Sequence, residues 1–196
     1  VFAITITLGA EAALRRASDG VASGQALIGG RERSVRGPFC FFISSKRVGM
    51  MITVQAPASK SVSHRMVMGA ALAQGDSVVS RVLESKDLER TMAILRGAGA
   101  GIVRTGEGEY AISGVGGQPH GGSVDPLSCD VHESGTTCRL LTAVLAAGMG
   151  RFRVHGAPRM HERPIGELTA GLETLGVSFT FEGKPGFPPF VLKTCG

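Results

Sequence analysis

Three short stretches of this sequence gather cations, hydroxyls and glycine in a way that suits the binding of small anions. The first is Pro57-Ala58-Ser59-Lys60-Ser61-Val62-Ser63-His64-Arg65, which sets a Lys, an Arg and several hydroxyls where a helix would begin. The unpaired amide N–H groups and the dipole of a helix start already favour negative charge. Ser61 and Arg65 lie four apart and so share a helix face. Lys60 would supply a point charge, Arg65 a planar fork and the serines short hydrogen bonds, a set that fits phosphate. A serine-capped helix with two solvated cations accounts for the same residues.

The second stretch is Glu133-Ser134-Gly135-Thr136-Thr137-Cys138-Arg139. Gly135 would let a ligand come close to the backbone, with Thr136 and a helix start behind it; a glycine turn with capping threonines is the bland equivalent. The third is Pro158-Arg159-Met160-His161-Glu162-Arg163-Pro164, three potential cations and one acid ahead of a proline-started helix. One Arg could grip a carboxylate or phosphate in a fork while the other pairs with Glu162, or the whole is a solvated charged loop.

Other chemistry is poorly served. No carboxylate sits at a spacing that would orient His64 or His161, so both are expected to be structural. No Ser–His–Asp set, phosphate-binding glycine loop of the P-loop kind or metal-ligand spacing can be read. Cys138, at a helix start but flanked by apolar residues, is expected to be packed rather than reactive. Cys40, Cys129, Cys138 and Cys195 fit neither a zinc set nor a disulfide framework and read as reduced thiols of an intracellular protein.

The elements that must position these stretches repeat. Ile52-Thr53-Val54 reads as a strand stopped by Pro57. Ser59 or Ser61 can cap a helix from about Val62 to Ala73, ended by Gly75. Val78 to Leu83 reads as a strand, and Asp87 opens a helix with Leu88, Met92 and Leu95 on one face. Ala100–Val103 and Glu109–Ile112 follow as paired strands. The order then recurs. Gly135 and Thr136 open a helix with Leu140, Leu141, Val144 and Leu145 inward, Phe152-Arg153-Val154 is a strand, and Pro164 opens a helix whose buried stripe is Ile165, Leu168, Leu172 and Leu175. Val177–Phe181 and Phe190–Lys193 close the second copy. Overlaying the copies sets Arg65 on Arg139, Leu95 on Leu172 and Gly99 on Gly176. A helix–strand–helix–strand–strand unit written twice gives two amphipathic halves, neither able to bury its apolar face alone, and predicts a core shared through the helices.

Composition bounds the partners. The 196 residues are 43% apolar and 19% charged, enough for a sizeable core. No Trp and a single Tyr argue against nucleic-acid binding by ring stacking, and no apolar run is long enough to span a bilayer. The net charge of +5 is uneven: residues 1–49 hold seven Lys/Arg against three acids, and residues 50–196 hold fourteen against thirteen. A polyanion surface is disfavoured, whereas a small pocket built from a few placed cations is not. The leader, residues 1–49, fits neither a secretory signal nor a transit peptide; it is expected to be a poorly ordered extension, with Met50 or Met51 the true start.

In their order and spacing the three stretches resemble the N-terminal signatures of the 5-enolpyruvylshikimate-3-phosphate synthase (3-phosphoshikimate 1-carboxyvinyltransferase) family, over about Ile52 to Lys193. The resemblance implies an α/β (α+β) fold of repeated βαβαββ units, three to a domain, of which this chain would hold about two, near residues 58–130 and 131–196. It implies transfer of the enolpyruvyl group of phosphoenolpyruvate to the 5-hydroxyl of shikimate 3-phosphate, by addition and elimination with release of phosphate and without metal or organic cofactor. By resemblance Lys60 would touch both substrates and act in catalysis, Ser61 and Arg65 would hold shikimate 3-phosphate, and Gly135, through its backbone, and Arg159 would hold phosphoenolpyruvate. The implied partners are those two metabolites, with no nucleic acid or membrane; the full-length enzyme would be a cytoplasmic monomer.

Two features depart from the family pattern. Glu133 stands where the family commonly has Asn, and its carboxylate would repel a bound phosphate unless a cation pairs with it. The chain is also less than half as long as family members, which makes it resemble an N-terminal fragment lacking the rest of the site and expected to show negligible turnover alone. UDP-N-acetylglucosamine enolpyruvyl transferase is similar in fold and donor, but its first motif carries Lys-Asn where this chain has Lys60-Ser61, and the loop before Pro164 lacks its reactive Cys. An anion-binding fragment without activity is the alternative of a different class.

Overall fold

The computed structural model describes residues 4–7 and 58–196. Strand β1 (Ile4–Thr7) is followed by α1 (Lys60–Leu72), β2 (Gln74–Val79), α2 (Lys86–Gly97), β3 (Gly101–Gly106) and β4 (Glu109–Val115). The second half runs β5 (Leu127–Asp130), α3 (Gly135–Ala146), β6 (Met149–His155), a 3-10 turn (Pro158–Glu162), α4 (Gly166–Glu173), β7 (Ser178–Phe181) and β8 (Phe190–Cys195). Two four-stranded sheets result, in the orders β1-β2-β4-β3 and β5-β6-β8-β7. In each, the strand after the first helix takes the inner place beside the last strand of the closing hairpin. The repeat read from the sequence is thus a repeat of strand order, although β1 runs antiparallel to β2 and β5 parallel to β6.

Each sheet turns one face inward. Val79, Ile102, Tyr110 and Ile112 of the first, and Phe152, Val154, Phe190 and Leu192 of the second, are buried in one continuous cluster with Leu88, Leu95, Leu141 and Leu145 of the helices. Helix α3 packs against both α1 and α2, so the halves share a core through their helices. Alternation along each strand produces this division: Arg151 and Lys193 point away from the faces that Phe152 and Leu192 bury.

The structure redraws several expected elements. Strand β2 lies earlier than Val78–Leu83, because Arg81 adopts φ 59° and turns the chain out of the sheet. The Val82 amide then donates to the Gly108 carbonyl, and the Leu83 amide to Ser63 Oγ on α1. Ser59 is the N-cap of α1, although its side chain makes no capping bond. Helix α4 begins at Gly166, two residues past Pro164, and ends at Glu173. Its expected stripe is only partly buried: Ile165 is covered, Leu168 and Leu172 are half-buried, and Leu175, beyond the helix end, is 79% exposed.

Strand β5 and the 3-10 turn have no counterpart in the sequence reading. Strand β5 pairs in parallel with β6 in the second sheet, so the expected division at 130/131 falls just behind it. Within the expected leader, Ile4–Thr7 pairs antiparallel with β2. The rest of that leader and the expected strand Ile52–Val54 lie outside the described residues.

Candidate active site

The first cluster sits where its serines and Lys predict, at the start of α1. Lys60 opens the helix and pairs with Asp87 Oδ2 in the first turn of α2. Its side chain keeps 47% exposure, so the ammonium can meet a ligand while held. Ser61 and Arg65 are exposed on the same turn, with Arg65 Nη1 donating to the Ser61 carbonyl at 3.4 Å. Lys60, foremost, holds the Asp87 carboxyl below the usual carboxylate range, against the opposing effect of burial and with help from the Ser134 hydroxyl.

Ser134 belongs to the second cluster, which meets the first where Thr137 Oγ1 lies 3.5 Å from the Asp87 carbonyl. It is the N-cap of α3, accepting from the Thr137 amide at 3.2 Å. Gly135 opens the helix. A Cβ placed there would stand 2.9 Å from Arg163 Nη1 and 3.1 Å from Arg139 Nη1, so glycine leaves room for two guanidinium groups at this helix start. No ion pair ties Arg139, Arg163 or Glu133 among the described residues. Glu133 is exposed.

The third cluster is laid against the second by backbone contacts. The Val131 amide donates to the His155 carbonyl at 2.8 Å and the Ala157 amide to the His132 carbonyl at 3.0 Å. Gly156 allows that approach, since a Cβ there would lie 2.2 Å from the His132 carbonyl oxygen. Arg139 Nη2 then donates to the Pro164 carbonyl at 2.8 Å. Arg159 stands exposed on the 3-10 turn, without a hydrogen bond or ion pair to another described residue. The expected pairing of an Arg with Glu162 is not formed among the described residues, because Arg163 is drawn to Gly135 instead.

Sequence reading thus located Lys60, Ser61, Arg65, Gly135 and Arg159 on adjoining helix starts and a neighbouring turn. It missed Asp87 as a partner of Lys60, and Arg139 and Arg163 as the cations beside Gly135. Their signal was present only as an acid in a helix first turn and two Arg within clusters already marked. His64 and Cys138 are packed, as expected, with burial pushing the Cys138 thiol up to about 11.

A shallow cavity of about 360 Å³ lies elsewhere, lined by Asp76, Val78, Val103, Ala111 and Ser113 on the outer face of the first sheet. It shares no residue with the clusters and offers no cation; the convergence of Lys60, Arg139 and Arg163 is the better guide to anion chemistry. Among the described residues no helix is long and apolar enough to cross a membrane, and no group of three His, Cys, Asp or Glu could hold a metal ion.

Comparison with known proteins gives this arrangement its family. The model of the EPSP synthase (3-phosphoshikimate 1-carboxyvinyltransferase) family matches residues 46–195. The 3-phosphoshikimate 1-carboxyvinyltransferase of Cellvibrio japonicus is 43% identical over 141 residues, 71% of this chain and 32% of that protein. That of Nitrosomonas europaea is 43% identical over 136 residues, 69% of this chain and 31% of its own length. EPSP synthase from Acinetobacter baumannii superposes with a TM-score of 0.64 at 30% identity, covering 70% of this chain and 31% of that one. The chain spans about a third of the length of these relatives. With its paired sheets, its three signature stretches brought side by side and a family match over most of its length, the chain belongs to the EPSP synthase family.

Proposed function

We propose that this chain supplies one wall of the site at which an enolpyruvyl group passes from phosphoenolpyruvate to the 5-hydroxyl of shikimate 3-phosphate. The observation that carries the reading is the joining of two helix starts: Lys60 of α1 pairs with Asp87, Thr137 in the first turn of α3 reaches the Asp87 carbonyl, and Arg139 and Arg163 gather at Gly135. Both substrates are multiply ionised, and a fixed set of cations and amide donors stabilises such ligands without reorganising. In this reading Lys60 faces both ligands, Ser61 and Arg65 hold the shikimate phosphate, and Gly135 with Arg159 holds phosphoenolpyruvate. The near balance of charge over residues 50–196 supports two small anions as partners over a polymer. We place the reaction in the cytoplasm, where thiols such as Cys129 and Cys138 stay reduced.

Calorimetric titration of the chain with each ligand tests this. Each charge-assisted contact is worth about 1.5–3 kcal/mol, so Lys60→Ala or Arg65→Ala should weaken shikimate 3-phosphate by roughly 10- to 100-fold. Arg159→Ala should weaken phosphoenolpyruvate and spare shikimate 3-phosphate. A folded chain that binds neither ligand, or an Arg159→Ala variant that loses both equally, contradicts the assignment.

A further inference from the structure

Between the two helix starts runs a chain of side-chain hydrogen bonds sealed from solvent. His64 on α1, Thr91 on α2 and Thr137 on α3 are each fully buried, and Ser134 is 5% exposed. His64 Nδ1 lies 3.2 Å from Thr91 Oγ1, Thr91 Oγ1 lies 3.0 Å from Thr137 Oγ1, and Thr137 Oγ1 lies 2.8 Å from Ser134 Oγ. Thr91 Oγ1 also reaches the Asp87 carbonyl at 3.0 Å. Thr137 Oγ1 lies 3.5 Å from that same carbonyl, and the Asp87 side chain holds Lys60.

Counting protons gives this chain a direction. Each hydroxyl has one hydrogen, and the Asp87 carbonyl and carboxylate only accept. Thr137 gives its hydrogen to Ser134. Thr91 then donates to Thr137 or to the Asp87 carbonyl, both at 3.0 Å, so His64 Nδ1 must carry a hydrogen and donate to Thr91. The opposite tautomer would leave the buried Nε2 of His64 as an N–H without a partner, a costlier orphan than a bare lone pair. Hydrogen bonds aligned head to tail strengthen one another in a dry interior.

We propose that Thr91 and Thr137 are positioning residues: their hydroxyls, aligned from His64 to Ser134, hold the Lys60–Asp87 pair in fixed register with Gly135. They touch no ligand themselves. The consequence for ligand affinity rests on the functional reading above; the register of Lys60 with Asp87 does not.

The test compares Thr91→Val and Thr137→Val, which keep shape and lose the hydroxyl, with Thr91→Ser and Thr137→Ser, which keep it. In the 196-residue chain, carbon-detected NMR titration of Asp87 reads the pair, and calorimetry reads shikimate 3-phosphate. The valine variants should titrate Asp87 at higher pH and weaken the ligand about tenfold, the loss of one net hydrogen bond; the serine variants should restore both. Valine variants with unchanged melting temperature and unchanged Asp87 titration overturn the proposal. Should the valine variants fail to fold, the ring nitrogens of His64 in the unmodified chain decide: a proton on Nδ1 supports the alignment, and one on Nε2 overturns it. A chain that binds no ligand but shows the Asp87 shift in the valine variants refutes the functional reading and leaves the positioning role standing.

Discussion

His64 shows how much a single side chain is asked to do here. Burial, first, and the Lys60 charge lower its pKa against the smaller pull of Asp87, so the ring stays neutral in the fold. A group whose folded pKa is depressed takes up its proton more readily when unfolded. Stability from neutral His64 is therefore complete above the ordinary histidine pKa of about 6.5 and is lost as pH falls below it. Urea midpoints measured from pH 7.5 downward should decline with a slope no steeper than about 1.4 kcal/mol per pH unit for this one proton, and His64→Asn should flatten that decline. Asp87 acts in a separate, more acidic window, since its depressed pKa adds stability that disappears only as pH drops through the carboxylate range.

The cysteines divide on the same ground. Burial pushes Cys129 up to about 12 and Cys138 up to about 11, while Cys195 is exposed. A thiol reagent followed by peptide mapping should label Cys195 in the native chain and reach Cys129 and Cys138 only on unfolding. Residue types alone marked Lys60, Gly135 and the packed Cys138. The contacts of Asp87, Thr91 and Thr137 escaped notice because partners 27 to 50 positions apart leave no periodic trace in a sequence.

At the scale of elements, the loops ahead of α3 and after β6 decide whether the third cluster meets the second. Their contact is backbone on backbone, with Gly156 against the His132 carbonyl. Gly156→Ala would force that carbonyl away, and the overlap is too deep for a side chain to relieve. A loss of about 1–3 kcal/mol is expected, with faster hydrogen exchange at the Ala157 amide and weakened phosphoenolpyruvate binding. Unchanged exchange at Ala157 would show that the loops adjust freely. Helix and strand identities were legible from periodicity over most of residues 60–195, because amphipathic spacing survives folding. Strand β5 was not, since Leu127-Ser128-Cys129-Asp130 is too short to display alternation, and its place depends on a parallel partner formed later in the chain. The α4 stripe was legible as a helix face but not as buried, because burial depends on what lies opposite: α4 packs against α3 and β7, yet Leu168 and Leu172 stay only partly covered.

The two units, finally, must stand or fall together if their helices truly share one core. Leu141 of α3 is fully buried at the meeting of the halves, in a cluster that runs from Ile112 of the first sheet to Phe190 of the second. Leu141→Ala removes buried methyl groups and leaves a cavity, at a cost of about 2–5 kcal/mol. If the core is continuous, that cost is felt in both sheets: slowly exchanging amides of β4 and of β8 should lose protection by the same free energy, and denaturation should remain a single transition. Leu175→Ser, at a site that is 79% exposed, serves as the control and should change stability by no more than about 0.5 kcal/mol. Loss confined to β8, with β4 protected as before, would mean that each unit folds on its own. The approach of Lys60 to Gly135 would then be a docking event rather than a property of the fold, and the ligand affinity of the chain would depend on how often the halves meet.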